Sequence, residues 1–202
     1  RRVLFRSDAD GSYPALEGGG DIRFTSDATG FDRLPCDVRT FHIDNDPANG
    51  YGEIAVKVPA VSANSDMVIY VWYNKPAVVQ PPVDSAYGQY NAYDSDHKLV
   101  SPAGGNSDRT SNAYTGTGYG GISIGGTTGP VGDATYYDGS NDRVDWGDIL
   151  DFGANENFTI ETLFKTDTSD FANYPAFISK ENHDRIPNRQ GYFLGLTAGG
   201  NH

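Results

Sequence analysis

Short runs of apolar residues recur along this chain, often alternating with polar ones, and Gly, Pro, Asn or Asp bounds most of them. Alternation with a period of two places successive side chains on opposite faces of a β-strand, and the bounding residues are those that form turns. The sequence lacks a convincing 3.6-residue apolar period, which would indicate an amphipathic helix. The pattern therefore predicts an all-β protein. The predicted strands are Ile22–Phe24, Cys36–Ile43, Glu53–Val58, Met67–Tyr73, Gly120–Ile124, Ala134–Tyr137, Arg143–Trp146, Phe158–Lys165, Ala176–Ser179 and Tyr192–Leu196.

Prolines at positions 76, 81 and 82 interrupt this pattern after the fourth predicted strand. Proline lacks an amide donor and favours an extended polyproline conformation, so residues 76–85 are predicted to be a linker. The linker separates a small β domain at residues 8–75 from a second domain at residues 86–202. In the second domain, Ala86–Leu99 has room for a further strand. Ser101–Gly118 is rich in Gly, Ser, Asn and Thr and is predicted to be a loop.

The two ends of the sequence differ from the rest. Arg1–Ser7 lacks an initiator Met and matches the in-frame translation of a sequencing adapter, so residues 1–7 are set aside as a non-native segment. The other end, at His202, follows an apparent strand without closing a sheet. We expect both ends to be cut, with a signal peptide and further domains of a longer parent chain lying outside this fragment.

Two local patterns predict how strands are arranged. In Cys36–Ile43, the side chains of Val38, Thr40 and His42 occupy alternate positions and are predicted to share one face. Asp138-Gly139 follows the strand that ends at Tyr137, and Asp-Gly supplies the positive φ that a tight turn needs. The strands on either side of this turn are predicted to pair as a hairpin.

Charge and composition exclude some classes of function. The formal charge of −12 has the wrong sign for a partner rich in phosphate, so nucleic acid is not expected as a ligand. The apolar stretch Met67–Trp72 is far shorter than the ~20 residues that cross a bilayer. Cys36 is the single cysteine, which rules out an internal disulfide, and it is predicted to be a small buried apolar residue.

Three motifs in the second domain resemble a known family. They are Tyr136–Val144, Phe158–Phe164 and Phe177–Lys180, and in this order they resemble the laminin-G-like jelly roll of the concanavalin-A-like superfamily. The resemblance implies that residues 86–202 form a two-sheet antiparallel jelly-roll sandwich, truncated at its C-terminal end. It also places His97 near the sheet interior, where a hydrogen-bonded core histidine is expected.

The first domain resembles a family of domains of unknown function that often precedes such jelly rolls in prokaryotic surface proteins. The motifs that carry this resemblance are Gly20–Thr25, Leu34-Pro35, Ala55–Pro59 and Ile69–Asn74. The two resemblances together indicate a secreted or cell-surface protein, with a phage or virion surface as the alternative location.

These features favour a non-catalytic carbohydrate- or glycoconjugate-binding module of an adhesin-like protein, because exposed aromatic residues beside polar loops can stack on and hydrogen-bond to a sugar. Two alternatives stay open: a structural or protein–protein interaction spacer, and an accessory domain of a polysaccharide-degrading enzyme. Glycoside hydrolysis needs two carboxylates that flank the bond, and Glu161 has no second strand carboxylate beside it. The sequence therefore predicts no enzyme activity.

Calcium is the ion that the sequence favours, because Asp and Asn oxygens in loops are its preferred ligands. The candidate ligands are Asp108, Asp138, Asn141 and Asp142. The alternative is that Asp138 and Asn141 cap their turn through hydrogen bonds to the backbone. The four histidines are scattered along the chain, which gives little support to a zinc site.

Overall fold

The computed structural model describes residues 15–43, 50–102, 105–129, 132–166, 176–181 and 191–195. The chain divides into two compact units, residues 1–151 and residues 152–202, and each is described by itself below. The division falls after Asp151 and not in the Pro-rich segment 76–85.

The prediction of an all-β protein is confirmed. The described residues contain no α-helix, and short 3-10 helices lie at Glu17–Gly19 and Gln89–Ala92. None of the described helices has the length and apolar character that a membrane span requires. The strands are β1 (Arg23–Thr25), β2 (Arg33–Leu34), β3 (Cys36–His42), β4 (Tyr51–Val56), β5 (Tyr70–Trp72), β6 (Thr117–Tyr119), β7 (Ser123–Thr128), β8 (Asp133–Tyr136), β9 (Arg143–Asp145), β10 (Ala176–Glu181) and β11 (Gly191–Gly195).

The best-packed part of the first unit is built by its first five strands. β1 lies between β2 and β5 in a three-stranded antiparallel sheet, and β3 pairs with β4 in a two-stranded one. Cys36 is buried among these strands as a free thiol, as predicted, and burial raises its pKa. The buried apolar core consists of Ala15, Ile22, Phe24, Leu34, Cys36 and Phe41.

A β-bulge in β3 corrects the predicted face assignment. The register passes from Val38 opposite Ile54 to Thr40 opposite Glu53, so Arg39 is the extra residue. An extra residue reverses the alternation beyond it, which brings Phe41 onto the same face as Val38. Both side chains lie about 3 Å from the position of a Cβ on Gly19 (3.1 Å for Val38 and 3.2 Å for Phe41). The prediction that Thr40 and His42 share the face of Val38 is therefore wrong.

The segment predicted as a linker lies against the N-terminal strands. Arg23 Nη2 donates to the carbonyl oxygen of Val79 over 2.7 Å, and the Gln80 side chain donates to the carbonyl oxygen of Gly19. A Cβ on Gly20 would lie 2.7 Å from the carbonyl oxygen of Val78, so the two backbones pass very closely. Beyond this segment the predicted strand within Ala86–Leu99 is wrong: these residues form turns and the 3-10 helix Gln89–Ala92.

Strands β6 to β9 form two separate two-stranded antiparallel sheets. β7 pairs with β8, and β6 pairs with β9 outside them. The turn Asp138–Asp142 thus joins strands of different sheets, and the predicted pairing across it is wrong. Gly120 lies between β6 and β7, and a Cβ there would lie 2.6 Å from the carbonyl oxygen of Asn141. Only glycine leaves room for the backbone where the β6–β7 connection passes the turn between β8 and β9.

The second unit contains one antiparallel pair, β10 with β11, in its described residues. These strands confirm the predicted strand at Ala176–Ser179 and the described part of the one at Tyr192–Leu196. The predicted strand Phe158–Lys165 is wrong, because the described residues offer this stretch no partner and it has an irregular, largely exposed backbone. Aromatic contacts accompany it: the Phe152 and Phe158 rings stack at 4.3 Å between centroids, and Phe164 stacks on Phe177 at 3.9 Å.

Candidate functional site

An open groove of about 530 Å³ lies on the first unit, and we call it the tyrosine groove. It combines aromatic rings with hydroxyl, amide, carboxylate and ammonium groups. The volume lies within the range of ~300–1,000 Å³ that is usual for small-molecule sites. The residues that line it are Lys57, Asp84, Tyr90, Asn91, Tyr93, Asp94, Ser95 and Ser111.

A tight turn after the prolines builds one side of the groove. The amide of Gly88 donates to the Ser85 carbonyl over 2.8 Å, and the amide of Tyr90 donates to the Val83 carbonyl over 2.9 Å. The Asn91 side chain donates to the Ser85 carbonyl over 3.0 Å. These bonds fix the backbone that presents Tyr90 and Asn91 to the groove.

A half-buried polar network around the buried Asp37 side chain fixes Tyr93. Its hydroxyl donates to Asp37 Oδ2 over 2.7 Å and accepts from Arg39 Nη2 over 2.9 Å. The side chain of Asp37 is fully buried, and the guanidinium of Arg109 grips both of its carboxylate oxygens. Arg39 also forms an ion pair with Glu53. The network, which we call the Asp37 network, therefore ties the groove to strands β3 and β4.

Burial keeps the Tyr93 hydroxyl protonated by raising its pKa. Burial raises the pKa of Tyr93 to about 12, and the hydrogen bond to Asp37 acts in the same direction against the opposing bond from Arg39. A neutral phenol can donate to the buried carboxylate, whereas a phenolate would face it with like charge. Tyr93 is thus a fixed, uncharged wall of the groove.

The rim of the groove carries an exposed carboxylate–imidazole pair. Asp94 Oδ1 lies 2.7 Å from His97 Nδ1, and both side chains are 51% exposed. The hydrogen bond to His97 lowers the pKa of Asp94. The prediction that His97 is a core histidine is wrong, because the turn in which its amide donates to the Asp94 carbonyl carries the ring outward beside Tyr93.

The loop that carries Ser111 is organised by Asp108, one of the predicted calcium ligands. Asp108 is buried and its two oxygens accept four hydrogen bonds. The donors are Val100 N at 3.0 Å, Thr110 N at 2.9 Å, Thr110 Oγ1 at 2.7 Å and Tyr114 N at 3.4 Å. In this structure Asp108 holds its loop in shape next to the tyrosine groove.

The other predicted ligands lie together in the turn between β8 and β9. Asp142 Oδ2 accepts from the amide of Asp138 over 2.8 Å, and Asp138 Oδ1 accepts from the amide of Ser140 over 2.8 Å. Asn141 belongs to the same turn, and Asp142 Oδ1 is buried without a hydrogen-bond partner. Within the described ranges, no three His, Cys, Asp or Glu side chains are grouped as a metal site would need. Calcium binding stays a prediction.

The two roles of Asp108 can be separated by experiment. We expect Asp108→Asn to lower the free energy of unfolding by about 1–3 kcal/mol, because the amide nitrogen cannot accept the bonds that the carboxylate oxygen accepts. Urea unfolding should show the same loss with calcium and with a chelator. A loss that appears only in calcium would instead make Asp108 a metal ligand.

The carboxylate of Glu161 lies in an exposed, irregular stretch of the second unit. Among the described residues, Glu161 belongs to no group of three His, Cys, Asp or Glu side chains that could hold a metal ion. The lining of the tyrosine groove, by contrast, includes none of the candidate site residues that the sequence predicts. Two signals in the sequence point to it. Residues 90–96 contain two tyrosines together with Asn, Asp and Ser, and Asp37 and Arg39 place opposite charges two residues apart on a strand.

Comparison with family models, with curated proteins and with solved structures finds no match to this chain. The resemblances to the laminin-G-like jelly roll and to the domain of unknown function therefore stay predictions.

Proposed function

We propose that this chain is a non-catalytic binding module for carbohydrate or glycoconjugate, and that the tyrosine groove is its binding site. One observation carries the proposal: Tyr90 and Tyr93 line the same open groove as Asp, Asn and Ser side chains. Tyrosine rings pack on the apolar faces of sugars, and carboxylate and amide groups exchange hydrogen bonds with sugar hydroxyls. An adhesin-like protein on a cell or virion surface is the setting that we propose for it.

The rigidity of the groove supports this proposal. Tyr93 is held by the Asp37 network and the backbone of Tyr90 by its turn, so little conformational freedom is lost when a ligand binds. A site that is ordered before binding suits weakly hydrophobic ligands such as sugars, which offer little apolar area to offset an ordering cost.

A second candidate is a protein–protein module, favoured by the exposed apolar side chains of the second unit. Leu163 is 80% exposed and Phe164 is 52% exposed. Exposed apolar side chains that are grouped, rather than single, mark surfaces that other proteins cover.

Removing the Tyr90 ring tests the proposal. We expect Tyr90→Ala to lower the affinity for a bound glycan by about tenfold or more, since the loss of stacking and apolar contact costs at least ~1.4 kcal/mol. The glycan is first found with an array of neutral and charged oligosaccharides, and affinities are then measured by calorimetry. Tyr90→Phe should keep most of the affinity.

Tyr136 offers a matched control, because it is 56% exposed on β8 and is not part of the groove. Tyr136→Ala should leave the affinity unchanged, and thermal unfolding should show that both variants fold. Binding to no glycan on the array, or equal losses in both variants, would contradict the proposal. Repeating the titrations with a chelator tests whether glycan binding needs calcium. Chromatography of the bound glycan should show that it is not cleaved.

A further inference from the structure

The charges around the tyrosine groove are unevenly distributed. Its lining carries two exposed carboxylates, Asp84 and Asp94, and one exposed ammonium group, Lys57. The pKa of Asp94 is lowered by its hydrogen bond to His97, so this carboxyl is ionised at neutral pH. The chain as a whole has a formal charge of −12. The lining and the long-range field therefore both disfavour an anionic ligand.

The cations nearest to the groove are committed to other partners. Arg109 is bound to the buried carboxylate of Asp37, and Arg39 is bound to Glu53 and to the Tyr93 hydroxyl. On the rim, Lys98 Nζ donates to the carbonyl oxygen of Ser95 over 2.9 Å. A carboxylate or sulfate is bound most strongly by an uncommitted guanidinium or ammonium group. The described lining offers the ammonium group of Lys57 alone, against two carboxylates.

The same carboxylates suit an uncharged sugar. An ionised carboxylate accepts only, and every sugar hydroxyl can donate to it in a charge-assisted hydrogen bond. Asp84 accepts no hydrogen bond from the described residues that would compete with such a ligand, and it is exposed at the groove.

We propose that the tyrosine groove selects uncharged saccharides over saccharides that carry carboxylate or sulfate groups. This inference rests on the proposed function, because it names the class of glycan that the same groove binds. Asp84 and Asp94 are the residues that set the preference, and Lys57 partly opposes them.

Matched ligand pairs test this selectivity on the full chain. The probes are neutral β-linked gluco-, manno- and galacto-oligosaccharides, each paired with the form in which the primary hydroxyls are oxidised to carboxylates. At low salt we expect the neutral member of a bound pair to bind at least about fivefold more tightly, which is the effect of one unit charge at contact distance in water. High salt should shrink this ratio, because it screens the repulsion.

Charge-neutralising variants locate the source of the preference. Asp84→Asn and Asp94→Asn should each raise the affinity for the oxidised member and so reduce the ratio by severalfold, and Lys57→Gln should increase it. Asp66→Asn changes the net charge by the same amount at an exposed site outside the groove, and it should leave the ratio unchanged.

Two results would overturn the inference: equal or tighter binding of the oxidised member at low salt, or the same change of ratio in Asp84→Asn and Asp66→Asn. Failure of the proposed function has a different signature. In that case neither member of any pair binds, or Tyr90→Ala weakens neither, and the inference fails with it.

Discussion

Asp37→Ala is expected to lower the free energy of unfolding of the first unit by about 3–5 kcal/mol, the usual cost of removing one partner from a buried ion pair. Asp37 is the shared acceptor of Tyr93 and Arg109, and its side chain is fully buried. Without it, Arg109 loses its carboxylate partner and Arg39 keeps only its ion pair with Glu53. The large effect follows from emptying a fully buried carboxylate position and leaving the Arg109 guanidinium, whose side chain is 27% exposed, without its partner.

Urea unfolding of Asp37→Ala and Asp66→Ala makes the comparison. Asp66 is exposed, so its replacement should change the stability by no more than about 0.5 kcal/mol. Asp37→Asn keeps the shape of the side chain but loses its charge, and an intermediate loss is expected. If Asp37→Ala were as stable as Asp66→Ala, the Asp37 network would not be a stabilising feature of the fold. Any glycan that binds the tyrosine groove should also bind Asp37→Asn more weakly, since the Tyr93 ring is no longer held.

Gly88→Ala is expected to open the turn that presents Tyr90. The added Cβ would lie 2.1 Å from the carbonyl oxygen of Pro82 and 2.7 Å from that of Val83. Both contacts are with backbone atoms, which cannot rotate away as a side chain would. The φ of Gly88 is −82°, which any residue can adopt, so the conflict is one of space and not of conformation. We expect the free energy of unfolding to fall by about 1–3 kcal/mol, which is typical of overpacking, and the affinity for a glycan to fall with it.

Gly153→Ala is the matched control for this prediction, since a Cβ there would meet no atom within 4 Å and Gly153 has no positive φ. Its stability should be close to that of the parent chain. Calorimetry of the two variants gives the comparison. A Gly88→Ala protein with parental stability and affinity would show that the Pro82–Tyr90 turn has room for a Cβ at position 88.

The class of the fold could be predicted from the sequence because alternation and turn residues act locally. The exact strand partners could not. Nothing near Arg39 distinguishes a bulged strand from a regular one, yet the bulge moves Phe41 to the opposite face. The Asp138-Gly139 turn was identified correctly, but its flanking strands pair with residues 117–128 instead of with each other. Pairing is decided by which distant segment supplies the backbone partner, and local propensity carries no information about that.

The candidate site could not be predicted from the sequence for the same reason. Its residues come from four separated stretches around Lys57, Asp84, Tyr90–Ser95 and Ser111, and only the fold brings them into one groove. Asp108 illustrates the ambiguity of a single acidic residue. Its type suits a calcium ligand, but its surroundings decide whether its lone pairs accept backbone donors, as they do here.

The Asp37 network also bears on how this chain could be exchanged between proteins during evolution. It connects Asp37 in strand β3 with Tyr93 and Arg109. Dividing the chain at the prolines would therefore separate the carboxylate from both of these donors. A gene fragment that began at residue 86 would encode a phenol and a guanidinium deprived of their buried acceptor. The Pro-rich stretch resembles a domain boundary in the sequence, but recombination there would divide one hydrogen-bonded network between two proteins.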